Sequence, residues 1–319
     1  LWRTRARLLG IGAVAAGPPP SPDAAAYVLV NAATGETLAS RQPDRELAMA
    51  RTTKLMPALI VLARADLDAR YRVPADAVVG GSTAGLQPGE TLTVRDLLTG
   101  LLVSSGNAAS MMNARARELG LRQTSYRNAH GLDEPGHHTS VRDLVRLSAV
   151  AMRDPLFREI VGDRRATIAG VNGVGTRTLE SENLLLAAYP EADGIKTGMT
   201  DDAGYSLVAH AKRPALGVNL YLAMIGSPSS EARASDAEAL LRWGFSQYAR
   251  PMLVPPGTVV GSAPVQYRPG VSVPYRVDRG VRIPIRLGED VTEEIAAPRE
   301  VEGPVEEGDV LGTLTLRQG

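Results

Sequence analysis

Asp193-Gly194-Ile195-Lys196-Thr197-Gly198-Met199-Thr200, followed closely by Ala203-Gly204-Tyr205-Ser206-Leu207, is the stretch on which the fold turns. The Lys196-Thr197-Gly198 triplet is expected just before a strand, with Ser206 to Ala211 and Val218 to Ile225 as central strands. Glu231 to Trp243 has the length of a long helix that would pack on them. A strand edge carrying Lys and Thr offers a cation and a hydroxyl to a carboxylate, and a backbone ladder to a peptide.

Upstream of it, two further short motifs fall in a fixed order. Ser105-Gly106-Asn107 follows the end of a helix over Val94 to Val103, headed by Thr93 with Asp96 three positions on as a capping-box analogue. Ala50-Arg51-Thr52-Thr53-Lys54 stands at the start of a helix over Thr53 to Ala65, where Leu55, Leu59, Ile60 and Leu62 recur at helical spacing. Pro57 is tolerated there only within the first turn. Residues three apart share a helical face, so the Lys54 amine can serve a group at position 51.

The remaining chain fits around these motifs. Ala26 to Asn31 and Thr37 to Ser40 form an opening hairpin across Ala33-Thr34-Gly35-Glu36. Met111 to Leu119 is a helix ended by Gly120, and Ser140 to Met152 is another, ended by Asp154-Pro155. Past residue 251 the helical period is lost, and Val271 to Val277, Val281 to Leu287 and Val310 to Leu316 alternate with Gly and Pro as a small all-β module. The expected organisation is 1–23 export signal and linker, 24–251 a main α/β (α+β) domain of strands and helices, and 252–319 an all-β domain.

Composition narrows the chemistry. Across 319 residues, 35 basic side chains balance 35 acidic ones, which argues against a nucleic-acid partner and for a small neutral or zwitterionic ligand. The absence of cysteine excludes a thiol nucleophile, thiolate metal sites and disulfides. With only four histidines, a His-rich metal centre is not expected, and His137 and His138 suit a Pro-Gly-His-His-Thr turn better than a ligand role. No cofactor or metal is called for. At the N-terminus, Arg3, Arg5 and Arg7 precede the apolar run Leu8 to Ala16, the Ala13-Val14-Ala15 site and Gly17-Pro18-Pro19-Pro20, the order of an export signal. The expected location is therefore periplasmic, or the extracytoplasmic face of the cytoplasmic membrane. A membrane-associating tail beyond Gly319 stays open.

Taken together, Ser-x-x-Lys at 51–54 (with its first position changed), Ser105-Gly106-Asn107 and Lys196-Thr197-Gly198 resemble the motif set of penicillin-binding proteins and serine β-lactamases. Their flanks are more specific: Asn113-Ala114-Arg115-Ala116-Arg117-Glu118-Leu119-Gly120-Leu121, His130-Gly131-Leu132-Asp133 and Asp193 to Thr200. Nearly the whole chain resembles the serine-type D-Ala-D-Ala carboxypeptidases, peptidase family S11. That resemblance implies that 24–251 is a penicillin-binding/β-lactamase-like transpeptidase domain, a central antiparallel sheet flanked by helices, acting on peptidoglycan stem peptides that end in D-Ala-D-Ala. It also implies β-lactam binding in intact relatives. In such relatives a serine is acylated by the penultimate D-Ala carbonyl, terminal D-Ala leaves, and water releases the rest. By position, Lys54 would be the general base, Ser105 and Asn107 the second catalytic motif, and Lys196, Thr197 and Gly198 the substrate-binding edge.

Two departures qualify this. The nucleophile position is Arg51, which has no hydroxyl and cannot form an acyl-ester. Loss of such a nucleophile costs roughly 10⁶ in turnover. A one-residue error, an engineered knock-out and a natural pseudoenzyme that still binds wall peptide all fit. Thr52 and Thr53 are off the Lys54 face and are poor substitutes. Two cations at 51 and 54 should favour neutral Lys54 and draw a carboxylate into the cleft. Second, only Ala108 to Met112 separate Asn107 from the Asn113 segment, so roughly three to four helical turns of the family pattern are absent. A cross-link endopeptidase and a non-catalytic binding module are the alternatives. A class A β-lactamase is disfavoured because Glu180-Ser181-Glu182-Asn183 lies too close to Lys196.

Overall fold

A computed structural model describes residues 2–7, 17–74, 86–100, 106–171 and 174–318. The described chain forms two compact units. One comprises Pro19–Lys212 and Asn219–Gly244; the other takes Phe245–Gly319, the turn Arg213–Val218 and the described part of Leu1–Pro18.

Strand β1 (Trp2–Arg7) belongs to the second unit and is taken up below. The first unit is built on β2 (Ala26–Asn31) and β3 (Thr37–Arg41), joined by the expected hairpin. Asn31 Oδ1 accepts the N–H groups of Ala33 and Thr34 at 2.9 and 3.3 Å, and Gly35 takes φ +75°, which closes the turn. Met49 leads into a 3₁₀ turn, Ala50–Lys54, that runs directly into α1 (Leu55–Arg64). Pro57 lies in the first turn of α1, where no intrahelical N–H donor is required. Next come the short hairpin of β4 (Arg70–Arg72) and β5 (Thr91–Thr93), then α2 (Val94–Gly100). Its cap is the expected one: Asp96 N–H donates to Thr93 Oγ1 at 3.0 Å, and that hydroxyl donates back to Asp96 Oδ2 at 2.8 Å.

Helix α3 covers Gly106–Glu118, and α4 covers Val141–Ala151 with Ser140 as N-cap. The Asp154-Pro155 pair was expected only to end α4, but it also begins α5 (Pro155–Gly162). The Asp154 carboxylate accepts the Phe157 N–H, and Pro155 occupies the first turn, where its missing donor costs nothing. A hairpin of β6 (Arg165–Ala169) and β7 (Thr176–Glu180) follows, then α6 (Leu184–Ala188). Three long strands, β8 (Ala192–Thr200), β9 (Gly204–Arg213) and β10 (Val218–Ser227), complete the main sheet, and α7 (Ser230–Ser246) returns across it. The sheet is antiparallel with order β3-β2-β10-β9-β8, which leaves β8 at an edge. Lys196-Thr197-Gly198 lies inside β8, where it was expected to precede a strand; Lys196 pairs with Val208 and Gly198 with Ser206.

Strand period two divides the core between the two faces of this sheet. Val28, Val208, Tyr221, Ala223 and Ile225 join buried residues of α1, α3, α4 and α5, among them Leu55, Met112, Leu144 and Phe157. Leu29 and Leu220 point to the other face, where α7 approaches so closely that a Cβ on Gly244 would stand 2.8 Å from each of them. Asp143 is fully buried at the helical side, yet its Oδ2 accepts both Gln123 N–H and Thr124 Oγ1–H, which meets the demand a buried carboxylate makes.

The second unit is all β: β11 (Tyr248–Ala249), β12 (Met252–Val254), β13 (Val259–Pro264), β14 (Ser272–Arg276), β15 (Val281–Arg282), β16 (Ile285–Arg286), β17 (Val291–Ala297) and β18 (Thr313–Gln318). Its small core gathers Ala263, Tyr275, Ile295, Ala297 and Val301. The Trp2–Arg7 segment, expected as the basic head of an export signal, forms β1 and pairs antiparallel with β17, with Arg5 opposite Glu294 in the register. Its alternating Arg3, Arg5 and Arg7 have strand period as well as the charge of a leader. The expected apolar run of that signal, 8–16, lies outside the described residues. No helix among the described residues is long and apolar enough to cross a membrane.

Candidate active site

Two chain segments far apart in sequence meet at one cleft. The first is the 3₁₀ turn Ala50–Lys54, entered with Ala50 at φ +49°. The second is the middle of β8. Both glycines that face the turn lack a side chain for a steric reason: a Cβ on Gly198 would lie 2.8 Å from the Arg51 nitrogen, and one on Gly131 would lie 2.2 Å from the Ala50 carbonyl oxygen. Gly131 adopts φ +87°, and its N–H donates to Asn128 Oδ1 at 2.8 Å. Asp133, next but one, accepts Thr200 Oγ1–H at 2.7 Å and Asp202 N–H at 3.1 Å, so the same loop also ties down the end of β8.

The cleft, about 620 Å³, is lined by Arg51 and Lys54 on one side and Lys196 and Thr197 on another. Phe157 and Val161 of α5, and the segment Arg177 to Asn183, complete its walls. This size falls within the range of small-ligand clefts. Lys54, Arg51 and the Lys196-Thr197-Gly198 edge are thus brought together as the sequence predicts. Ser105 lies outside the described residues, and Asn107 stands in the first turn of α3, which begins at Gly106.

The electrostatics are dominated by excess positive charge. Burial, and after it the Arg51 guanidinium, lower the Lys54 amine below its ordinary value, with Glu182 pulling the other way. This is the direction expected from two cations on one face. Lys196 is pushed down to about 8, first by burial and then by Lys54, against the pull of Glu182, with smaller contributions from Arg51 and Arg233. Its Nζ donates to the Thr197 carbonyl at 2.8 Å. Arg233, on α7, is buried, lies over the Tyr205 ring and is lowered chiefly by that burial. Arg51 pairs with Glu182, whose Oε2 stands 3.5 Å from the guanidinium Nη1.

The hydroxyls beside Arg51 are committed elsewhere. Thr52 Oγ1 donates to the Met49 carbonyl at 2.5 Å, and Thr53 Oγ1 donates to the Ala50 carbonyl at 2.8 Å; both side chains are fully buried. His137 supports this turn from below, with Nε2 at 2.8 Å from Thr53 Oγ1. Sequence reading placed His137 in a plain turn, weighed Glu182 only as part of an ill-spaced β-lactamase motif, and gave Arg233 no role. The contacts that matter for them span dozens of residues. The His130-Gly131-Leu132-Asp133 flank was the one available signal for the supporting loop.

Comparison with known proteins agrees with this geometry. The family model described as D-alanyl-D-alanine carboxypeptidase matches residues 13–228. D-alanyl-D-alanine carboxypeptidase DacF of Bacillus subtilis is 29% identical over 93% of this chain and 82% of its own length. DacD of Salmonella typhimurium is 32% identical over 78% of this chain and 70% of its own. Among solved structures, the Streptomyces K15 DD-transpeptidase superposes with a TM-score of 0.66 at 30% identity, covering 72% of this chain and all of that one. Penicillin-binding protein 5 from Haemophilus influenzae gives 0.68 at 25% identity over 95% of each chain. A penicillin-binding fold, a lysine and a Lys-Thr-Gly edge sharing one cleft, and a family match over more than half of the sequence lead to one assignment: the chain belongs to the serine-type D-alanyl-D-alanine carboxypeptidases of peptidase family S11.

Proposed function

We propose that this chain binds the D-Ala-D-Ala end of peptidoglycan stem peptides outside the cytoplasm, and that Arg51 impairs its acyl-enzyme turnover. The observation that carries the reading is the replacement of the nucleophile by a guanidinium with no hydroxyl available beside it: Thr52 and Thr53 are buried and donate to backbone carbonyls. In this reading Lys54, with its lowered affinity for a proton, is the residual general base. Ser105 and Asn107 form the second motif. Lys196 and Thr197 take the peptide carboxylate, while the open edge of β8 at Gly198 accepts its backbone as an added strand.

A fluorescent penicillin tests it. The unmodified chain should form no covalent adduct on a denaturing gel, and Arg51→Ser should restore labelling, because Lys54 would again face a hydroxyl three residues away. Labelling of the unmodified chain would refute the impaired-nucleophile reading. Calorimetry with a D-Ala-D-Ala pentapeptide should give saturable heat, and flat titrations at millimolar concentration with both this peptide and its form shortened by one D-Ala would remove the peptide-binding reading.

A further inference from the structure

The Arg51 guanidinium already holds a carboxylate, that of Glu182, which reaches it from the segment between β7 and α6 on another wall of the cleft. The Arg51 side chain is about one-third exposed and Glu182 is mostly exposed, so this pair is open to exchange. An arginine offers five donors in a planar fork that matches a carboxylate. Position 51 is also a particular place: in the reading proposed above, which this inference rests on, it faces the carbonyl carbon of the penultimate residue. In a peptide ending in D-Ala-D-Ala that carbon is a neutral amide, which gives a guanidinium little to pair with. In a peptide that has already lost its last residue, the same carbon is a free carboxylate.

We propose that Arg51 is a specificity-determining residue that turns this cleft toward stem peptides ending in a single D-Ala, the product of a carboxypeptidase rather than its substrate. The new carboxylate replaces Glu182 at the guanidinium. Glu182 thus acts as an internal competitor, and Lys196 on the facing wall of the cleft adds to the pull on an anion. The peptide backbone still lies along the open edge of β8, where Gly198 allows close approach to the Arg51 turn. The nucleophile position becomes a carboxylate site, and the cleft reports that trimming has already occurred.

Calorimetry on the full chain decides this with three synthetic stem peptides: one ending in D-Ala-D-Ala, one ending in a single D-Ala, and the C-terminal amide of the second. The single D-Ala acid should bind at least about tenfold tighter than either of the others, the scale of one charge-assisted hydrogen bond gained. Glu182→Gln should tighten it severalfold further, and Arg51→Ala should bring the two free acids within about twofold of each other. Equal affinities for the two acids in the unmodified chain, or a preference for D-Ala-D-Ala, would overturn the inference and leave the peptide-binding reading standing. No saturable heat with any of the three would overturn both.

Discussion

His137 Nε2 lies 2.8 Å from Thr53 Oγ1, joining residues 84 positions apart. The direction of the contact follows from the other ring nitrogen. Nδ1 accepts the Arg127 N–H at 3.0 Å, so a neutral ring carries its proton on Nε2 and donates it to Thr53, whose own proton goes to the Ala50 carbonyl. The histidine therefore holds in place the turn that presents Arg51.

Burial drives His137 down to about 4 from its usual 6.5, against the pull of Glu134. The unfolded chain therefore takes up a proton at a pH where the folded one does not. Stability contributed by the neutral ring is present above about pH 6.5 and is lost as pH falls toward 4. Urea denaturation between those limits should show a falling midpoint, and His137→Ala should flatten that slope while losing about 1–3 kcal/mol at neutral pH from the unpaired Arg127 N–H. An unchanged pH slope in the variant would place the acid sensitivity elsewhere.

Glu90 is buried and receives two hydrogen bonds from the Arg177 guanidinium, at 3.2 and 3.0 Å, besides the Gln87 N–H at 2.7 Å. This anchors the β6–β7 hairpin, one wall of the cleft. Arg177→Ala would leave Glu90 as a buried uncompensated charge, and the variant should lose about 3–5 kcal/mol in equilibrium unfolding. A loss below 1 kcal/mol would mean that water reaches the carboxylate readily.

Burial, more than any neighbouring charge, pushes the Lys196 amine down to about 8. A peptide carboxylate is ionised throughout this range, so any change in its binding comes from the cationic side chains of the cleft, Lys196 foremost. Affinity for a stem-peptide acid should hold below about pH 8 and weaken above it as the ammonium is lost. Lys196→Gln should bind more weakly at pH 7 and show a shallower fall. Titration calorimetry at several pH values reads both effects, and unchanged affinity of the unmodified chain well above pH 8 would exclude Lys196 from the carboxylate contact.

Gly198 meets the backbone at Arg51, which has little freedom to yield. Gly198→Ala should destabilise the protein by about 1–3 kcal/mol through overpacking. In an Arg51→Ser background it should also slow penicillin acylation beyond what the fraction folded explains. Wild-type stability and labelling rate in that background would show that β8 can move away from the turn at no cost.

Legibility in the sequence tracked the range of the interactions. The opening hairpin, α1 and the Thr93–Asp96 cap were visible because their determinants lie within a few residues. Helix α5 was missed because Asp154-Pro155 reads equally well as a stop and as a start, and only the Phe157 N–H donated to Asp154 decides. The β6–β7 hairpin was missed because its strands are short and mostly exposed: the alternation Arg165-Ala166-Thr167-Ile168 runs over only four residues, and Leu179 is the single apolar residue of β7.

Sequence alone determined the family, the order of the three motifs and the loss of a hydroxyl at position 51, since these are statements about residue identity and local spacing. Only the tertiary structure decided that Thr52 and Thr53 are buried against carbonyls, that Glu182 is the carboxylate facing Arg51, and that Gly198 and Gly131 press on the same turn. Those contacts join segments tens of residues apart, and only packing of the helices and hairpins against the sheet brings them within hydrogen-bonding distance.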